Sequence, residues 1–128
     1  MRLLLDTCVL LWLARNDRSL PPGVRKMIER PDTDLMVSAA SAWEIAIKHA
    51  RGRLALPAAL GTFLPSLRER YQLTALPIDE PSALHIAKLP PLHADPFDRM
   101  LVSQAIVHGL TIVTPDPLIT QYPARTLW

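Results

Sequence analysis

Short apolar runs alternate with helix-like segments along this chain, and no other feature constrains its fold as strongly. The runs lie at residues 2–6 (RLLLD), 34–37 (DLMV), 73–77 (LTALP), 110–113 (LTIV) and 124–128 (ARTLW), the last of them predicted as an edge strand. The segments between them carry helix punctuation. A helix is expected over about 8–15, and Pro21 and Pro22 open a second that ends near Arg30, with Pro31 as its stop. SAWEIAIKHAR (41–51) reads as a strong helix with Ser41 as N-cap and Gly52 after its end. Pro57 opens a further helical stretch that Pro65 is expected to divide, and EPSALHIAKL (80–89) reads as a short helix. Asp95 caps a helix from Pro96 to about His108, ended by Gly109, and PLIT (117–120) suits one helical turn. Strands that alternate with helices predict a three-layer α/β/α fold around a short parallel sheet.

A chain of 128 residues, 49% of them apolar, corresponds to one domain with a core of its own. The net charge of +2 does not by itself indicate a nucleic-acid partner. A single cysteine, Cys8, forbids an internal disulfide and fits a reducing, cytosolic setting. The apolar N-terminus is interrupted by Asp6 and lacks the continuous stretch of a signal peptide. No run has the length needed to span a bilayer.

Four acids sit where this sheet would turn a strand into a helix: Asp6, Glu44, Asp98 and Asp116. In a parallel α/β sheet those junctions share one rim, so carboxylates far apart in sequence meet there. Such a cluster repels itself unless a cation sits in it. Each acid also has a structural explanation. Ser41-Ala-Trp-Glu44 fits a capping box, and Asp95, Asp98, Asp116 and Asp6 all fall at helix starts, where negative charge is favoured. Three observations favour the joint site. Asp95 and Asp98 double up where one cap suffices. Asp98 shares the apolar stripe of Leu101, Val102 and Ala105, which directs it inward. Asp6 follows an apolar strand at its carboxyl end, where such sheets place ligands.

Lys48 and Arg51, at i+4 and i+7 from Glu44, are candidate phosphate contacts, while Glu44–Lys48 also reads as an ordinary helix pair. Arg99, four residues after Asp95, reads as its surface partner, and His93, in a loop beside Asp95, reads first as a solvated histidine and second as a ligand or proton carrier. Cys8 reads as a buried helical thiol. The aromatics are too few and scattered for a base-stacking platform.

The succession LLLDT, SAWEI, HADPFDRMLVSQA and TIVTPD resembles the PIN-domain ribonucleases, specifically the VapC-type toxins of toxin–antitoxin pairs. The resemblance covers essentially the whole chain, and DPFDRML is its most specific piece. It implies that Asp6, Glu44, Asp98 and Asp116 form a metal site for Mg2+ or Mn2+, with Asp6 and Asp98 as the direct ligands. It also implies that Asp95 is auxiliary and that Thr7 and Thr114 occupy hydroxyl positions near the site. Cys8 departs from the pattern, since many members carry Asn or His there. The implied reaction is hydrolysis of an RNA phosphodiester by a metal-activated water, with one or two ions. A homodimer and a small antitoxin that occludes the site are implied as well.

Two rivals within this fold are an RNA-processing nuclease without an antitoxin and a non-catalytic binding module. The haloacid-dehalogenase phosphatases also place an Asp after their first strand, but they need Asp-x-Asp, and Asp6-Thr7-Cys8 fails.

Overall fold

The computed structural model describes residues 1–128. In chain order it contains β1 (Arg2–Leu5), α1 (Thr7–Arg15), α2 (Pro22–Ile28), β2 (Asp34–Ser38), α3 (Ala39–Ala50), α4 (Leu60–Tyr71), β3 (Thr74–Leu76), α5 (Glu80–His85) with a 3-10 turn (Ile86–Lys88), α6 (Pro96–His108), β4 (Thr111–Val113), α7 (Pro117–Thr120) and β5 (Arg125–Leu127). The five strands form one sheet in the order β3-β2-β1-β4-β5, every neighbouring pair parallel. The expected three-layer α/β/α fold is present. No helix is long and apolar enough to cross a membrane.

The central strands β1, β2 and β4 are largely buried because both faces of the sheet are covered there, while the edge strands β3 and β5 are exposed or half-buried. Leu3 and Leu5 of β1 point into one core with Leu35, Val37 and Val113, against side chains of α1, α2, α3 and α4. Leu4 points the other way with Met36 and Ile112, against Leu101, Val102 and Ala105 of α6 and Ile119 of α7. The period of two thus assigns alternate residues to opposite layers. Leu3, Leu4 and Leu5 are all fully buried, which pins β1 at the centre.

The strand order reverses between β1 and β4. After β1 the chain builds outward through β2 and β3, then returns to the other flank for β4 and β5. Parallel sheets open a crevice at such a reversal, beyond the carboxyl ends of the strands.

Several sequence expectations need correction. Helix α3 begins at Ala39, and its N-cap is Ser38, not Ser41. Ser38 also ends β2, so one residue closes the strand and opens the helix. Its hydroxyl accepts from Ala40 N at 2.9 Å and donates to Gln104 Oε1 at 2.5 Å. Ser41 lies inside the helix, its hydroxyl accepting from Thr7 Oγ1 at 2.9 Å. Glu44 therefore sits in the second turn and has no part in a capping box. Pro65 does not divide α4. Its ring is exposed, while buried Phe63, Leu64 and Leu67 hold the turns on either side of it against the core. The helix expected from Pro57 begins at Leu60, and the helix expected at 80–89 changes to a 3-10 turn at Ile86.

Ser38→Ala removes the α3 cap and strands the side-chain oxygen of fully buried Gln104. The expected cost is about 1–3 kcal/mol in chemical denaturation. A cost inside the roughly 0.5 kcal/mol range of neutral surface changes would contradict this cap.

Candidate metal centre

A cavity of about 250 Å3 opens at the carboxyl rim, and five carboxylates line it: Asp6, Glu44, Asp95, Asp98 and Asp116. Lys48 supplies its one positive charge, and Thr7, Cys8 and Leu11 complete the wall. A larger hollow of about 560 Å3 lies near Arg25, Arg30 and Arg70, but it contains only two carboxylates, Glu29 and Asp34. Density of ionisable groups, rather than volume, distinguishes the smaller cavity.

Asp6 is held by the register of the sheet. Its backbone N–H donates to Val113 O at 3.1 Å, extending the β1–β4 ladder by one step. That step sets its side chain beside Thr114. Oδ1 accepts from Thr7 N at 2.7 Å, and Oδ2 accepts from Thr114 Oγ1 at 2.7 Å and from the Cys8 thiol at 3.5 Å. Burial pushes the Asp6 carboxyl up, against these hydrogen bonds, and the Glu44 charge adds to the rise. The Cys8 thiol is pushed up too, by burial and then by the Asp6 charge, so it remains protonated.

Glu44 is buried and accepts from Lys48 Nζ at 2.5 Å through Oε2. That hydrogen bond pushes the Lys48 ammonium up. Asp95 caps α6, its Oδ1 accepting from Phe97 N at 2.9 Å and Asp98 N at 3.2 Å. Asp98 is thereby relieved of capping. Its Oδ2 lies 3.1 Å from His93 Nε2. Burial first, then the charges of Asp95, Asp6 and Asp116, push the Asp98 carboxyl up to about 6, against the His93 hydrogen bond. Asp116 caps α7 through Leu118 N at 2.9 Å, and its own N–H donates to Thr114 Oγ1 at 3.0 Å. Thr114 thus ties Asp6 to the Asp116 turn.

Capping accounts for Asp95 and Asp116 and for one oxygen of Asp6. It accounts for neither Glu44 nor Asp98. Five acids against one ammonium leave an excess of negative charge that a cation would offset. No three Asp, Glu, His or Cys side chains converge tightly enough to cage an ion by themselves. Such a donor set fits an ion like Mg2+, which binds through one or two carboxylates and keeps several waters.

The fold gathers Asp6, Thr7, Glu44, Lys48, Asp95, Asp98 and Asp116 in the cavity wall, with Thr114 directly behind Asp6. Arg51 is exposed at the C-cap of α3 and does not line the cavity. His93 is not solvated: its side chain is 10% exposed and lies between Asp98 and Tyr122. Arg99 does not pair with Asp95; its guanidinium donates to Pro90 O, Ile86 O and the Tyr122 hydroxyl. Cys8 is only partly buried and reaches the site through Asp6. Trp43 and Phe97, far apart in sequence, pack edge to face with centroids 5.0 Å apart beside Glu44 and Asp98, and Trp43 remains 55% exposed. Sequence reasoning missed the role of Tyr122, which no local spacing connects to Asp98.

Among curated proteins, the chain is similar to Ribonuclease VapC22 of Mycobacterium tuberculosis, 29% identical over 113 residues, or 88% of this chain and 85% of that one. Among solved structures it is similar to VapBC2 from Rickettsia felis bound to a promoter DNA fragment, with a TM-score of 0.75, 13% identity and 99% and 98% of the two chains covered. It is also similar to DNA-bound VapBC from Salmonella typhimurium, with a TM-score of 0.68, 18% identity and 99% and 97% coverage. At such identities these two likenesses are of fold. The family model of the PIN domain matches residues 3–124, nearly the whole chain, and the chain therefore belongs to the PIN domain family.

Proposed function

We propose that this protein is a divalent-cation-dependent endoribonuclease and the toxin of a type II toxin–antitoxin pair. The observation that carries the reading is the meeting of five carboxylates and one lysine at the strand-order reversal of a PIN-family sheet. The similarity to a ribonuclease and to VapBC proteins supports the substrate and the setting.

In this reading Asp6 and Asp98 would be the principal ligands of Mg2+ or Mn2+, and Glu44 and Asp116 would support them. When bound, the cation supplies Lewis acidity toward a water and toward phosphate oxygens. The chain's own groups do the rest. Thr114 and the Thr7 amide fix the Asp6 carboxylate from two sides. Asp95 fixes the first turn of α6 and so the direction of Asp98. Lys48 brings the one ammonium to the cavity, where it can meet a phosphate oxygen while its Glu44 contact keeps it charged. Arg51, exposed farther along α3, is suited to a neighbouring phosphate of the strand. A homodimer, a small antitoxin that covers the cavity, and a cytoplasmic site of action complete the proposal.

Purified protein, freed of any partner, is expected to cleave RNA with Mg2+ or Mn2+, to lose cleavage in excess chelator and to regain it on readdition. Cleavage undiminished in chelator rejects the metal mechanism. Growth arrest on induction is expected to vanish when the neighbouring small gene is co-expressed. Harmless induction with robust cleavage in vitro favours an RNA-processing role instead.

A further inference from the structure

We propose that His93 is the positioning residue of Asp98, held as its neutral Nε2–H tautomer by a hydrogen-bond chain running Arg99–Tyr122–His93–Asp98. The first link sets its direction. A guanidinium can only donate, and Arg99 Nη1 lies 3.0 Å from the Tyr122 hydroxyl oxygen. The same guanidinium is anchored on two backbone carbonyls, Pro90 O at 3.0 Å and Ile86 O at 3.4 Å. Tyr122 is buried, and its hydroxyl has one acceptor within reach, His93 Nδ1 at 2.7 Å. Nδ1 must then carry no proton. The ring proton resides on Nε2, 3.1 Å from Asp98 Oδ2.

Every other placement of protons between the Tyr122 hydroxyl and Asp98 Oδ2 leaves one of them without a partner. An imidazolium, or the Nδ1–H tautomer, directs an N–H at Tyr122 and strands the hydroxyl proton inside the protein. A protonated Asp98 that donates to Nε2 forces the Nδ1–H tautomer and has the same result. Buried donors without partners are disfavoured, so the chain settles in the one arrangement that uses each proton.

This arrangement has a chemical consequence. Asp98 Oδ2 is fixed by a neutral donor, and Oδ1 is left without a protein partner in the cavity wall. Arg99 thus orients the carboxylate at a distance without bringing its positive charge to bear on it. A direct arginine or lysine contact would compete with a cation for the same oxygens, as Lys48 does at Glu44. Carboxylates that hold metals are themselves held by hydrogen bonds, and loss of such support weakens the metal site.

The positioning role rests on the proposed metal site; the tautomer does not, so the two are tested apart. Long-range 1H–15N spectra of the metal-free protein at neutral pH report the tautomer of each of the four histidines. The resonance missing in His93→Gln identifies His93. We expect a protonated Nε2 and a bare Nδ1, and loss of that preference in Tyr122→Phe. In calorimetric titration with Mn2+, His93→Leu is expected to weaken binding roughly 10–100-fold. His93→Gln, whose amide nitrogen can donate from near the Nε2 position, should recover most of it. Should His93→Leu fail to fold, Tyr122→Phe carries the same comparison with the imidazole retained. An Nδ1–H or doubly protonated His93 in the wild type overturns the proposal, and so does wild-type Mn2+ affinity in both His93→Leu and Tyr122→Phe. If these variants bind normally while Asp98→Asn does not, only the positioning role fails. If Asp98→Asn also binds normally, the metal-site reading falls with it.

Discussion

Asp98→Asn is expected to remove Mn2+ binding and RNA cleavage together and to leave the metal-free protein at least as stable as the wild type. The cap of α6 belongs to Asp95, so the substitution does not disturb the helix start. Asn retains a carbonyl oxygen that can accept from His93 Nε2, yet it lacks the charge a cation requires. The loss in metal affinity should exceed the roughly 10–100-fold typical of a supporting residue. The stability gain follows from linkage. The folded protein pushes the Asp98 carboxyl from its ordinary value of 3.8 up to about 6, so between these values the folded state holds the proton more tightly than the unfolded state. In chelator, the wild type should therefore lose stability relative to Asp98→Asn as pH rises from about 4 to about 6, and remain lower above that. The relative change is on the order of 1 kcal/mol, because the partly exposed carboxyl is screened by solvent. Denaturation curves of both proteins across this range test the sign. Near-normal cleavage and Mn2+ affinity in Asp98→Asn would reject the assignment.

Leu101→Ala is expected to do the opposite. Leu101 lies three residues beyond Asp98 on the inner face of α6, is 1% exposed, and packs in the core with Leu4, Met36 and Ile112. Removing its side chain leaves a cavity and should cost about 2–5 kcal/mol in chemical denaturation, with cleavage per folded molecule retained. Saturating Mn2+ should return part of that stability, about 2.7 kcal/mol at 100 times the dissociation constant. The same Mn2+ should return nothing to Asp98→Asn. A Leu101→Ala protein that is stable but inactive would mean that α6 transmits its packing to the site more strongly than the core geometry implies.

The layers and the acidic cavity wall were legible because both follow from local rules. A strand covered on two faces must be apolar throughout, as Leu3, Leu4 and Leu5 are, and a parallel sheet gathers its strand-to-helix junctions on one rim. Residues whose partners lie far away in sequence were not legible. Arg99 stands four positions from Asp95, and helical spacing suggested that pair, but Pro90, Ile86 and Tyr122 claim the guanidinium. His93 is the loop residue the sequence suggested, but Tyr122, from beyond β4, covers it and leaves it unsolvated. Ser41 offered a plausible cap three residues before Glu44, yet Ser38, at the end of β2, had the extended backbone a cap requires. Trp43 and Phe97 became neighbours only through the packing of α3 on α6.

The hydrogen bond from Thr114 to Asp6 spans 108 residues of sequence. Contacts of such separation form late and slowly, because the chain must first close the loop between them. The cavity is consequently complete only once β4 lies beside β1. A chain folded only through α6 possesses Asp6, Glu44, Asp95 and Asp98 but lacks β4, and with it Thr114 and Asp116. On the proposed reading, RNA cleavage would report the completed pairing of β4 with β1.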